Sequence, residues 1–149
     1  MALGVTTIAT AIASLSISGV AVKDLNAIPQ QVAARDCPIL YPSPDNFIGA
    51  GTTAIQTFGT VNQRYWEVNR SLTYVYLHAL AGTERTLASY WQSMAGKVDA
   101  VWTAFIGLNV SGVDVTDIST TAFGVLQDAA GNQFYGCLFS LGLKEKVNP

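Results

Sequence analysis

The chain has 149 residues, enough for one domain with a real core, and half of them are hydrophobic. Only 12% are charged, against about 25% in an ordinary soluble domain. So neutral a surface tends to associate, and the composition predicts a permanent oligomer or a subunit of a larger assembly. The formal net charge is −2 and the lysines and arginines are scattered, which leaves no basic patch and argues against a nucleic-acid ligand.

The first 22 residues carry no charge. A signal peptide would begin with a basic residue, and a membrane span would not be diluted by Thr6, Thr7, Thr10, Ser14, Ser16 and Ser18. Val5, Ile8, Ile12 and Leu15 fall on one helical face, so an amphipathic core helix is expected, with a processed leader as the alternative. Gly19 permits a sharp turn, and residues 20–25 alternate as a short strand. Residues 26–36 have no clear period and read as a connection. Residues 37–41 form a compact apolar strand whose Pro38 confines it to an edge or a strand start. Residues 42–46 supply turn chemistry, and Phe47 and Ile48 precede a glycine-rich run at 49–51.

Residues 52–60 suit a strand, with Asn62 marking the turn into the longest alternating stretch, 64–78. There Trp66, Val68, Leu72, Tyr74 and Tyr76 alternate with Glu67, Asn69, Ser71 and Thr73, the period of a half-buried strand. At roughly 3.3 Å per residue it reaches ~50 Å, so part of it should project beyond its own core. Arg70 interrupts the apolar face, which calls for a bulge, a subunit contact or an arginine stem reaching solvent.

Thr83 is the expected N-cap of a second helix, with Glu84 in its first turn, running to about Ile106. Leu87, Trp91, Met94, Val98, Val101 and Phe105 make one stripe, widened by Tyr90 and Trp102. Residues 113–127 and 132–147 then read as two strands joined by a turn at 128–131. In the last, Tyr135, Cys137, Phe139, Leu141 and Leu143 face one way and Gly136, Ser140, Gly142 and Lys144 the other, which predicts one covered and one wet sheet face. The order gives a single α+β domain over 1–149: a mostly antiparallel sheet with a long hairpin, covered on one face by two helices.

Catalytic chemistry is hard to place. His78 is the only histidine and reads as a turn or core-edge residue. No nucleophile elbow, phosphate loop, dinucleotide fingerprint or C-x-x-C pair occurs. Asp114 and Asp117, three apart on a strand, should lie on opposite faces. Cys37 and Cys137 sit in apolar runs and are expected as reduced, buried thiols. No catalytic, cofactor-binding or metal-ligating residue is assigned, and no cofactor is expected. A small-molecule binding module using Trp66, Tyr74 and Tyr76 is the competing class.

Several stretches, GVAVKDLNAIP, RDCPILYPSPDNFI, RYWEVNRSLTYVYLHA and AGNQFYGCLFSLGL, together with the order of elements, give a chain that resembles the tail terminator proteins of long-tailed bacteriophages. The resemblance covers nearly the whole length and rests on topology rather than a chemical signature. It implies a non-enzymatic neck subunit that forms a homohexameric ring, caps the tail-tube protein and meets a head-completion or connector protein. It implies a place in the virion after assembly in the host cytoplasm, with no membrane partner and no sequence-specific nucleic-acid binding. Tail-tube and head-completion subunits are built from similar pieces and are the structural alternative.

Two interfaces are expected. Phe47 and Ile48, in the loop at 45–51, are large apolar residues in a place where a monomer rarely leaves them exposed. On the second helix Ser89, Ser93, Gly96, Ala100, Thr103 and Gly107 fall opposite the apolar stripe, small rather than charged, as close packing by a neighbour would require.

Overall fold

The computed structural model describes residues 4–49, 52–58, 64–82 and 86–147. Helix α1 spans Val5–Ala13 and helix α2 Leu87–Ile106; the strands are β1 Ala21–Val22, β2 Ile39–Pro42, β3 Thr53–Phe58, β4 Arg64–Leu80, β5 Val113–Gln127 and β6 Gln133–Val147. They form one sheet in the order β1-β2-β4-β6-β5, with β3 also paired to β4. Every pairing is antiparallel except β1 with β2. The fold is therefore the α+β sandwich read from the sequence.

β4 organises the sheet. One of its edges carries β6 along nearly its whole length. Its other edge is lined in turn by β2 at residues 74–77, by Ile48 opposite Leu72, and by β3 at residues 64–69. Residues 39–42, Ile48 and residues 53–58 thus line this edge of β4 in succession, with the loop after Pro42 bulging out of it.

Period-two alternation decides the core. Leu72, Tyr74 and Tyr76 of β4 and Cys137, Phe139, Leu141 and Leu143 of β6 turn to one face, where Ile8 and Ile12 of α1 and Met94, Val98, Val101 and Phe105 of α2 cover them. Aromatic rings run through this layer: Phe47 meets Tyr74 at 5.6 Å, Tyr74 meets Phe105 at 5.9 Å, and Phe105 meets Phe139 at 5.7 Å between centroids.

The opposite face departs from expectation, because it is not uniformly wet. Its middle is polar, with the Ser71 and Ser140 hydroxyls 3.0 Å apart. Toward the end of β4, however, Val32, Ile39, Tyr41, Val75, Leu77 and Phe134 form a second, smaller core. The aperiodic connection at 26–36, folded into two short 3-10 turns, lies over it. Periodicity could not reveal that, because a covering segment without regular structure has no period to detect.

Other boundaries moved. The strand expected at 20–25 is confined to Ala21–Val22, and Gly19 makes the predicted turn with φ +73°. Helix α2 starts at Leu87 after Thr86, whose side chain makes no capping bond. The expected cap Thr83, with Glu84, and the turn residue Asn62 lie outside the described residues.

Three bulges reset the strand faces, two in β5 and one in β4. Asp114 stands opposite Lys144 while Asp117 stands opposite Gly142, since the register shifts between them. The two aspartates therefore share a face, contrary to simple alternation. A side chain at 142 would run into the Asp117 carboxylate, which explains the glycine there. The bulge in β4 lies between Leu77 and Ala79, so His78 is the extra residue there.

Candidate assembly surface

β4 is buried from Leu72 to His78 and half-buried or exposed from Arg64 to Ser71. The first half of the strand lies beyond the helices, as its length predicted. Together with β3 it forms an arm of the sheet. Side chains from 52 to 56 are all exposed, Ile55 at 57%, and Trp66 is exposed on the opposite face of the arm. Its charges are few: Lys144 Nζ lies 3.3 Å from Glu67, and the Lys146 ammonium sits 4.2 Å above the Tyr65 ring.

Arg70 stands where the arm meets the core. Neither a bulge nor a stem reaching solvent accounts for it: its guanidinium reaches Glu145 at 3.4 Å, with side chains 14% and 1% exposed. Arg70 pairs with Leu143 and Val68 with Glu145, so the two are diagonal neighbours on one face. The pair is incompletely satisfied, as Arg70 Nε and Glu145 Oε1 have no partner. Burial pushes the Glu145 carboxyl up, and the Arg70 charge only partly opposes it.

The loop after β2 divides its two apolar residues. Phe47 packs its ring on Tyr74, and its carbonyl accepts the Thr73 amide at 2.8 Å, so it belongs to the domain's own core. Ile48 remains 53% exposed. Along α2, Ser89, Gly96, Thr103 and Gly107 are exposed, and a Cβ at Gly96 would meet nothing within 4 Å. Ala100 leans partly onto the core. Ser93 is exposed as well, though its hydroxyl lies within reach of His78. At the helix's flank Trp91 stacks against Phe123 of β5 at 5.7 Å, both well exposed, and Ile106 is exposed at the C-terminal end.

His78 closes a chain of hydrogen bonds. Tyr76 Oη lies 2.7 Å from its Nδ1, its Nε2 lies 2.9 Å from Ser93 Oγ, and that hydroxyl donates to the Tyr90 carbonyl at 3.2 Å. One assignment satisfies all three contacts: Ser93 donates to the Tyr90 carbonyl, Nε2 donates to Ser93, and Nδ1 accepts from Tyr76. Both ring nitrogens are thereby partnered at the edge of the core. Burial lowers the His78 pKa and Lys97 adds to the effect. Tyr74 and Tyr76 are fully buried, so they line no pocket with Trp66.

A cleft of about 280 Å³ opens on the second face, between Tyr41, Asp45, Asn46, Leu126 and Asp128. The Asp128 carboxylate is already committed: it accepts from the amides of Val32, Ala130 and Asn132 at 2.8–3.0 Å and from the Asn132 side chain at 3.1 Å. Burial pushes its pKa up, and those four bonds outweigh it and hold the carboxyl low. Burial, with Asp128 nearby, also pushes the Tyr41 phenol up to about 12. Both cysteines are free; Cys137 is buried and Cys37 partly so, and burial lifts the thiols to about 12 and about 11. Among the described residues no His, Cys, Asp and Glu group could hold a metal, and no helix is long and apolar enough to cross a membrane.

The chain matches no family model and no curated protein sequence. What it offers a partner is consequently read from its own surface: the arm, Ile48, the small-residue face of α2, and the Trp91–Phe123 pair.

Sequence reasoning missed Glu145 and Asp128. Nothing in the sequence distinguishes Glu145 from a solvated residue of an alternating strand, and Asp128 looks like ordinary turn chemistry. The one available signal was Arg70, since an arginine on an otherwise apolar face needs a carboxylate within reach of that same face.

Proposed function

We propose that this chain is a non-enzymatic structural subunit that closes into a ring of identical copies, a neck component that caps a bacteriophage tail tube and joins it to the head-completion protein. The observation that carries the reading is the arm. A sheet that extends past its own core, with exposed apolar side chains on both faces and few charges, is poorly suited to a solitary domain and well suited to burial between neighbours. Charge scarcity across the whole chain points the same way. The small face of α2 is the second surface for such a neighbour, because Gly96 costs about 1 kcal/mol relative to alanine in mid-helix and leaves open space above it.

The test is assembly. Light scattering and particle imaging of the purified protein should find rings. Gly96→Gln, Thr103→Glu and Ile48→Ser should keep the fold by circular dichroism and lose the rings. Phe47→Ser is not a clean probe, since its ring is part of the core. A parent that never exceeds two copies, or variants that all assemble as the parent does, would overturn the ring reading.

A further inference from the structure

The two longer edge strands, β5 and β3, are built differently. β5 is long, but it is guarded: its register shifts twice, Ala122 and Gly124 adopt positive φ, and Asp114 and Asp117 stand along it. Such bulges and charges keep an exposed edge from recruiting another strand. β3 has none of them. Its register with β4 is unbroken from Thr53 to Phe58, its sequence TAIQTF contains no charge, proline or glycine, and among the described residues no strand covers its outer side. A regular, uncharged, exposed edge is a template for an extended strand, which defines the chemistry of what binds it.

The strand's own pattern says which strand that is. Thr53, Ile55 and Thr57 stand opposite Asn69, Glu67 and Tyr65 and so share one face, while Ala54 and Gln56 share the other. Thr-x-Ile-x-Thr reads the same in both directions. Two such strands laid antiparallel about Ile55 place isoleucine against isoleucine and each threonine against a threonine, the cross-strand pairs that stabilise sheets. Isologous contacts require this self-complementarity. Electrostatics permits it too, because neither strand is charged and the nearest carboxylate on that face, Glu67, is neutralised by Lys144.

We infer that two copies of the free chain pair through their β3 edges, antiparallel and two-fold symmetric, with Ile55 opposite Ile55 of the second copy. The contact buries Ile55 and satisfies the open backbone edge. It is small, so the dimer is weak and concentration-dependent. It goes beyond the ring reading, because ring neighbours are related by a rotation that never sets β3 against itself. The dimer is thus a state of the chain before assembly, one that shields the edge from non-specific pairing.

Oxidising Ile55→Cys should give a disulfide-linked dimer on a non-reducing gel, where the parent, with its native Cys37 and Cys137, gives none. Sedimentation over a concentration series should show a monomer–dimer equilibrium for the parent, weakened about tenfold or more by Ile55→Lys with an unchanged unfolding temperature. Absence of the crosslink, or an Ile55→Lys variant that dimerises as the parent does, overturns the inference whether or not rings form. A crosslinked dimer in a protein that never forms rings upholds it and overturns only the ring.

Discussion

Arg70 and Glu145 face each other diagonally across β4 and β6, with 3.4 Å between the guanidinium and a carboxylate only 1% exposed. The contact is long for an ion pair, and each partner keeps one buried atom without a bond. Desolvation is therefore only partly offset by attraction. Removing one partner leaves the other uncompensated, so Arg70→Ala or Glu145→Ala should each lower stability by about 3–5 kcal/mol in urea unfolding. Arg70→Met combined with Glu145→Leu should recover most of that loss. A double variant as weak as either single one would show that the pair is a net source of stability. The pH sign follows from burial: a carboxyl raised by folding binds its proton more tightly in the native state, so its contribution falls as pH rises above the ordinary glutamate range.

Tyr74 is fully buried between Phe47 and Phe105, and its hydroxyl has no hydrogen-bond partner. The ring contributes packing, while the oxygen contributes an unmet desolvation cost. Tyr74→Phe should raise stability by about 1 kcal/mol, read as a higher denaturant midpoint at constant slope. A loss of stability would mean that the hydroxyl has a partner in solution.

His78 should give the protein a pH dependence in the weakly acidic range. Its folded pKa lies below the ordinary value, because burial and Lys97 both disfavour the imidazolium. Its contribution is complete above the unfolded pKa and is lost as pH falls through the folded one. Protonation also removes the lone pair that accepts from Tyr76. Stability should therefore decline as pH drops below about 6.5, and His78→Gln should flatten that part of the curve. An identical slope in parent and variant would assign the decline to other groups.

Alternation and helical stripes made the architecture legible: the boundaries of β4, β5 and β6 fall within a few residues of those expected, and Ile8, Ile12, Met94, Val98, Val101 and Phe105 of the expected stripes are buried, whereas Trp91 of the second stripe is exposed. What stayed hidden was whatever breaks a period. The bulge before Asp117 put two aspartates on one face, and the bulge at His78 set Ala79 opposite Tyr135 and Leu80 opposite Phe134, because one extra residue reverses the alternation that follows it without leaving a mark in composition. The small-residue face of α2 was legible as a pattern but is less uniform in the fold. Ser93 is drawn to His78, a contact between elements that no helical wheel contains, and Ala100 falls at the margin where the helix meets the core.

Asp128 joins the β5–β6 turn to the connection that covers the second core, taking the Val32 amide at 2.9 Å while also holding the amides of its own turn. Asp128→Ala would leave these buried or part-buried donors without an acceptor and should cost about 3 kcal/mol. Its loss should also loosen residues 26–36, which have little regular structure to hold them. Because the four bonds keep the carboxyl below the ordinary aspartate range, its contribution is full above that range and is lost as pH falls through the lowered value. Hydrogen exchange at the Val32 amide separates the two effects. In the parent it should be protected at neutral pH and exchange faster than base chemistry allows once Asp128 is protonated; in Asp128→Ala it should be unprotected at every pH while amides of the main core, such as Leu72, remain slow. Equal protection of Val32 in parent and variant would mean that the second core holds the connection without the carboxylate, through Val32, Ile39 and Phe134 alone.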